Sequence, residues 1–211
     1  MEISITLILV AITVLISVVG FKNRSFKEKL LFNSYLFHHE RQYYRLFSHA
    51  FIHSGWMHLL VNMWVLYIFG QFVEAELTNA FPFSGRISFV LLYVGGIAFA
   101  SSSALVKHKD NIRYNSLGAS GAVAAVLYAF IIMRPTHSIY LYFMIGLPAF
   151  LFGVLYLWYE YSMDKRSKGN IAHDAHFYGA IYGILFMLVI DYNYLIECYL
   201  DIKFYISSFL T

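Results

Sequence analysis

Apolar and polar positions fall along this chain in long blocks. Six blocks are nearly free of charge: residues 3–20, 56–72, 87–106, 116–133, 139–159 and 171–190. A helix of roughly 17–25 apolar residues, rising about 1.5 Å per residue, crosses the hydrocarbon of a bilayer. The pattern therefore predicts an all-α integral membrane protein with six transmembrane helices, in one domain over residues 1–191. The first block has no basic region before it and no small-residue cleavage site after it. It reads as a retained anchor rather than a signal peptide. Between the first two blocks lies a polar stretch, Phe21 to Gly55, with Lys22, Arg24, Lys27, Lys29, Arg41 and Arg45. Its second half, Tyr43 to His53, mixes aromatic and polar side chains, which suits a structured loop in the membrane interface. Residues 192–211 set Glu197, Asp201 and Lys203 among aromatics, the composition of an interfacial helix rather than a seventh span. No repeat, low-complexity tract or linker divides the chain.

Composition sharpens this reading. The 211 residues are 60% hydrophobic and only 13% charged, against about 25% charged in an ordinary soluble domain. A lone cysteine, Cys198, excludes an internal disulfide and a cysteine metal cage. The net charge of +3 is spread thinly, without the basic cluster that nucleic acid requires. The partners to expect are the lipid bilayer and other membrane proteins.

Polar side chains inside apolar spans are costly and mark functional positions. Few occur, and they fall near the starts of the second, fourth and sixth spans: His58 and Asn62, Ser120, and His176. With six spans these three helices begin on one side of the membrane, so the four residues lie at similar depth. His58 and Asn62, four apart, share a helix face. His176, Gly179 and Gly183 share another, and glycines at that spacing let a second helix approach. Ser120, with Gly121, Ala124 and Ala125, offers the matching small surface. A serine hydroxyl pressed against an imidazole is the arrangement acyl transfer needs, because the imidazole takes the proton and returns it to the leaving amine. His58, Asn62 and the backbone N–H of Ser120 are candidate donors to the oxyanion.

Plainer readings stand beside this one. Ser120 can be a packing residue bonded to its own helix, and His58 with Asn62 an interhelical hydrogen bond. His49, His53, His58, His173 and His176 invite a metal site. No carboxylate or cysteine joins them at a recognised spacing, so neither metal nor cofactor is expected. His49 and His53 read as structural residues of the first loop. Asp174 lies two residues before His176, a separation that points helical side chains apart and argues against a triad.

The residues resemble the rhomboid family of intramembrane serine proteases. The resemblance runs from Tyr44 to Gly183 and rests on Tyr44-Arg45, His49 and His53, and His58-Leu59-Leu60-Val61-Asn62 for H-x-x-x-N. It also includes Gly70 with Glu74, Gly118-Ala119-Ser120-Gly121 for G-x-S-G, and Ala175-His176-Phe177-Tyr178-Gly179-Ala180-Ile181-Tyr182-Gly183 for A-H-x-x-G-x-x-x-G. It implies a rhomboid-like six-helix bundle with Ser120 as nucleophile, His176 as general base, and His58 and Asn62 at the oxyanion hole. It implies single-pass transmembrane substrates, and a bacterial inner membrane with the active-site side facing outward. The aromatic fifth span, with Tyr140, Tyr142, Phe143, Phe150, Phe152, Tyr156, Trp158 and Tyr159, resembles the family's gate helix. The alternative is a non-catalytic rhomboid-like protein that binds transmembrane helices, which has no need of both Ser120 and His176. Two features depart from the family. Ala124 stands where many members stack an aromatic ring on the catalytic histidine, so another side chain must orient His176 or the histidine is held more loosely. Lys and Arg number twelve in the first, third and fifth loops against three on the opposite side, and the positive-inside rule puts the twelve in the cytoplasm.

Overall fold

Charge-free sequence mostly becomes helix here. In the computed structural model, which describes residues 3–141, 145–166 and 173–209, α1 spans Ile5–Lys22 and starts at Ser4, whose hydroxyl accepts the Leu7 N–H. The polar stretch after it is folded: α2 (Arg24–Leu30), α3 (Ser34–His39), α4 (Arg45–Ser48) and a 3-10 turn at His49–Phe51. Asn23 and Asn33 cap α2 and α3 through their side-chain oxygens. The buried Arg45 guanidinium ties the stretch together, donating to the Glu28 and Leu31 carbonyls at 3.0 and 2.8 Å.

The larger helices follow as α5 (Trp56–Ala80), α6 (Gly85–Ala100), α7 (Ser102–Lys107), α8 (Ser120–Met133), α9 (Ala149–Arg166), α10 (His173–Ile190) and α11 (Asn193–Ser207). Among the described residues, four stretches are long and apolar enough to cross a membrane: α1, α5, α6 with α7, and α10. The sequence pattern predicts six. The difference lies in α8, which has 14 residues, and in α9, whose last two turns carry Glu160, Asp164, Lys165 and Arg166.

Two predicted spans change at their starts. The block 139–159 does not begin as helix, so the fold is not purely α. Ser138–Leu141 (β1) pairs antiparallel with Ile145–Pro148 (β2), Ser138 lying opposite Pro148. Proline has no N–H to give and its ring clashes with the preceding turn, so no regular helix can run through position 148; α9 starts immediately after it. Residues 142–144, with the predicted gate aromatics Tyr142 and Phe143, lie outside the described residues, as do 171–172 at the start of the sixth block and the chain ends 1–2 and 210–211. The block 116–133 becomes helix only from Ser120. Ser116 is taken up in a backbone pair with Phe32, 3.0 Å in both directions, and Gly118 has φ +114°, outside helical space.

α8 is the central helix, buried from Gly121 through Ile131 and packed by α5, α6 and α10. Small residues permit this. A Cβ on Gly96 of α6 would stand 2.9 Å from the Ala125 Cβ. On the far side of α5, the Gly70–Glu74 pair seats α1. A Cβ on Gly70 would stand 2.9 Å from Thr6 Cγ2, and the Glu74 carboxylate caps α1 by accepting from Ser4 Oγ, Ile5 N, Thr6 N and Thr6 Oγ at 2.7–2.9 Å. A carboxylate at a helix N-terminus meets both unsatisfied N–H groups and the positive end of the dipole.

Candidate active site

Three helix N-termini meet at one cavity. His58 comes from the first turn of α5, Ser120 is the first residue of α8, and His176 comes from the first turn of α10. All three line a cavity of about 980 Å³. Missing side chains bring α8 and α10 together. A Cβ on Gly179 would overlap the Gly121 carbonyl, and one on Gly183 would overlap the Ala125 carbonyl. Ser120 precedes Gly121, and His176 lies three residues before Gly179, so this crossing delivers both to the same wall. Among the described residues no hydrogen bond joins Ser120 Oγ to His176; the pair shares the cavity unlinked.

The backbone before Ser120 is held by the first-loop histidines. Gly118 N–H donates to the His49 carbonyl at 2.9 Å, and Ala119 N–H donates to His53 Nε2 at 3.4 Å. Because His53 accepts at Nε2, its proton sits on Nδ1, 2.9 Å from Ser17 Oγ of α1, which donates in turn to the Phe51 carbonyl. His49 Nε2 lies 3.2 Å from Ser101 Oγ. Burial pushes the His49 imidazolium down to about 4, and burial, with His58 and Lys27 nearby, pushes His53 down to about 3. Both rings are therefore neutral at physiological pH, which an acceptor nitrogen requires.

His58 packs its ring on Gly118, where a Cβ would stand 2.7 Å from His58 Cε1. Its Nδ1 lies 3.0 Å from Ser54 Oγ. Asn62 is placed differently. It is buried, does not line the cavity, and donates from Nδ2 to the His58 carbonyl one turn back at 2.8 Å. The first-turn N–H groups of α8, at Ser120, Gly121 and Ala122, have no intrahelical partners and lie at the positive end of that helix.

One residue of the site escapes a reading by spans. Glu160 of α9, 3% exposed, receives His176 Nδ1 at 3.0 Å on one oxygen and His173 Nδ1 at 2.6 Å on the other. It lies at the fifth block's predicted end, after which the chain turns polar, and no spacing rule ties it to a histidine on the next helix. Asp174 points elsewhere: it faces Lys107 Nζ at 3.6 Å, which also reaches Asp164 at 3.5 Å, so α7, α9 and α10 share one cation at the cavity mouth. Glu160, His173 and His176 offer donor atoms within 4.8 Å of one another, close enough to share one divalent ion. Each carboxylate oxygen carries one of these hydrogen bonds.

Two kinds of comparison with known proteins bear on the chain as a whole. The family model described as the Rhomboid domain matches residues 40–193. The chain is 27% identical over 176 residues to RHOMBOID-like protein 12, mitochondrial, of Arabidopsis thaliana, covering 74% of this chain and 50% of that protein. It is 37% identical over 89 residues to Rhomboid-like protein 11, chloroplastic, of the same plant, covering 42% of this chain and 29% of that protein. The chain thus matches half or less of the length of these relatives.

Proposed function

The chain belongs to the rhomboid family, and on that premise we propose that it is an intramembrane serine endopeptidase, cleaving single-pass transmembrane proteins through an acyl-enzyme. The observation that carries the reading is the meeting of Ser120, His176 and His58 on one cavity at three helix N-termini. Ser120 Oγ attacks the scissile carbonyl as His176 takes its proton. The imidazolium then returns that proton to the leaving amine, and water repeats the sequence to free the acyl group. The oxyanion forms beside His58 and the N–H groups that open α8, donors fixed in advance by the fold. Asn62 joins through its second amide hydrogen once its side chain turns toward the cavity.

The reading includes six membrane crossings, with α8 and α9 counted as the two that length and composition alone leave out. Short helices suffice where the cavity admits water from one face. The exposed Tyr199, Leu200 and Phe204 of α11, with Cys198 turned inward, support an interfacial tail. The proposal keeps the bacterial plasma membrane that the resemblance implies, while the charge count and the family pattern give opposite orientations for the cavity. Cysteine accessibility along residues 107–113 checks the orientation.

The test is cleavage of a model transmembrane substrate in liposomes. The wild type is expected to cut, and Ser120→Ala and His176→Ala to lose at least about 10³-fold in rate. Equal cleavage by either alanine variant would remove the protease assignment. Binding of the substrate helix with no cleavage by the wild type would favour the non-catalytic alternative.

A further inference from the structure

We propose that Glu160 is the positioning residue of the site, holding His176 in the tautomer that a serine requires. The inference rests on the protease reading for its consequence and on the structure for its geometry.

A carboxylate buried in an apolar helix is costly unless both oxygens are satisfied. Glu160 meets that condition with two imidazoles, one per oxygen, His176 Nδ1 at 3.0 Å and His173 Nδ1 at 2.6 Å. An ionised carboxylate only accepts, so each facing Nδ1 carries the hydrogen. A neutral His176 protonated on Nδ1 keeps its lone pair on Nε2, the nitrogen left to receive the proton of Ser120. In the opposite tautomer Nε2 carries a hydrogen and cannot act as base. When His176 takes the proton, its ring lies against the Glu160 carboxylate. His173 holds the second oxygen, so Glu160 cannot turn away, and His173 is itself fixed by an edge contact with the Tyr159 ring, centroids 5.9 Å apart.

This placement also accounts for Ala124. The residue four after Ser120 is small and buried and offers no ring to lean on His176. Orientation comes instead from α9, the neighbour of α10 on the other side. Any displacement of α9 therefore reaches the base directly.

The experiment has two readouts on the full chain in micelles and liposomes. The first is ¹⁵N NMR of histidine-labelled protein, with the His176 signal identified by its loss in His176→Ala. Wild type is expected to carry the His176 proton on Nδ1, and Glu160→Gln to move the ring to a mixture of tautomers. A wild-type proton on Nε2, or no change in Glu160→Gln, overturns the inference whether or not the protein cleaves anything. The second is kinetics on the model substrate. Glu160→Gln is expected to lower kcat by about 10²-fold or more with KM little changed, and Glu160→Asp to recover part of that loss. Wild-type kcat in Glu160→Gln overturns the positioning role and leaves the protease reading intact. An inactive wild type removes the protease reading, and the tautomer then decides the inference alone.

Discussion

Gly179 of α10 rests on the carbonyl of Gly121 of α8 with no room for a methyl group between them. That contact fixes the distance between the elements that carry Ser120 and His176. Gly179→Val is expected to push the helices apart, costing about 1–3 kcal/mol or more as overpacking does. Fluorophosphonate labelling of Ser120 should fall with it. Gly55→Ala is the control, since nothing lies within 4 Å of a Cβ there. Thermal unfolding in detergent compares the two, and equal midpoints would contradict the packing argument.

Gly118 is constrained twice, by φ +114° and by the His58 ring 2.7 Å from a built Cβ. Gly118→Ala is expected to displace His58 and strain the turn into α8, by about 1–2 kcal/mol for the backbone alone. Cleavage should drop while helical content by circular dichroism stays near wild type.

His58 lines the cavity and Asn62 does not. Loss of one oxyanion donor typically costs about 10²–10³-fold in kcat, and His58→Ala is expected in that range. Asn62→Ala, which removes a bond to the His58 carbonyl, is expected to cost about tenfold or less. Single-turnover rates at saturating substrate separate the two; a larger loss for Asn62→Ala would make it the principal donor.

The depressed His49 and His53 set a pH dependence of stability. Above about 6.5 both are neutral folded and unfolded, so stability is flat. As pH falls below that value the unfolded chain takes up protons that the folded rings, held near 4 and 3, refuse. Stability is therefore expected to decline from about pH 6.5 downward, and to level off only below the folded values. Unfolding midpoints at pH 7.5 and 5 test this, with a shallower slope expected for His53→Gln.

Glu74 anchors α1 through four donors, three of them from the helix's first residues. Glu74→Gln keeps the shape and removes the charge, leaving an amide hydrogen where N–H donors converge. The expected cost is on the order of 2 kcal/mol, read as earlier proteolytic release of α1. Protection equal to wild type would mean that α1 is held by its apolar face alone.

Much of this was legible in single residues. The apolar blocks required helices, because a backbone in hydrocarbon must satisfy its own hydrogen bonds. Glycines at positions 121, 179 and 183 announced a close crossing, since the absence of a side chain is a local property. Ser120, His58 and His176 were visible as polar groups placed where burial is costly. The strand pair Ser138–Leu141 with Ile145–Pro148 escapes a reading by apolar content, although Pro148 is a local signal against helix there. Asn62 turning to the His58 carbonyl, and Asp174 turning to Lys107, depend on rotamers chosen by neighbours. Glu160 is the clearest case. Residue types alone leave open whether another group replaces the ring that relatives carry at Ala124 or the histidine is held more loosely. Only the tertiary structure decided it, because the docking angle of α9 on α10 sets whether a carboxylate sixteen residues away meets an imidazole.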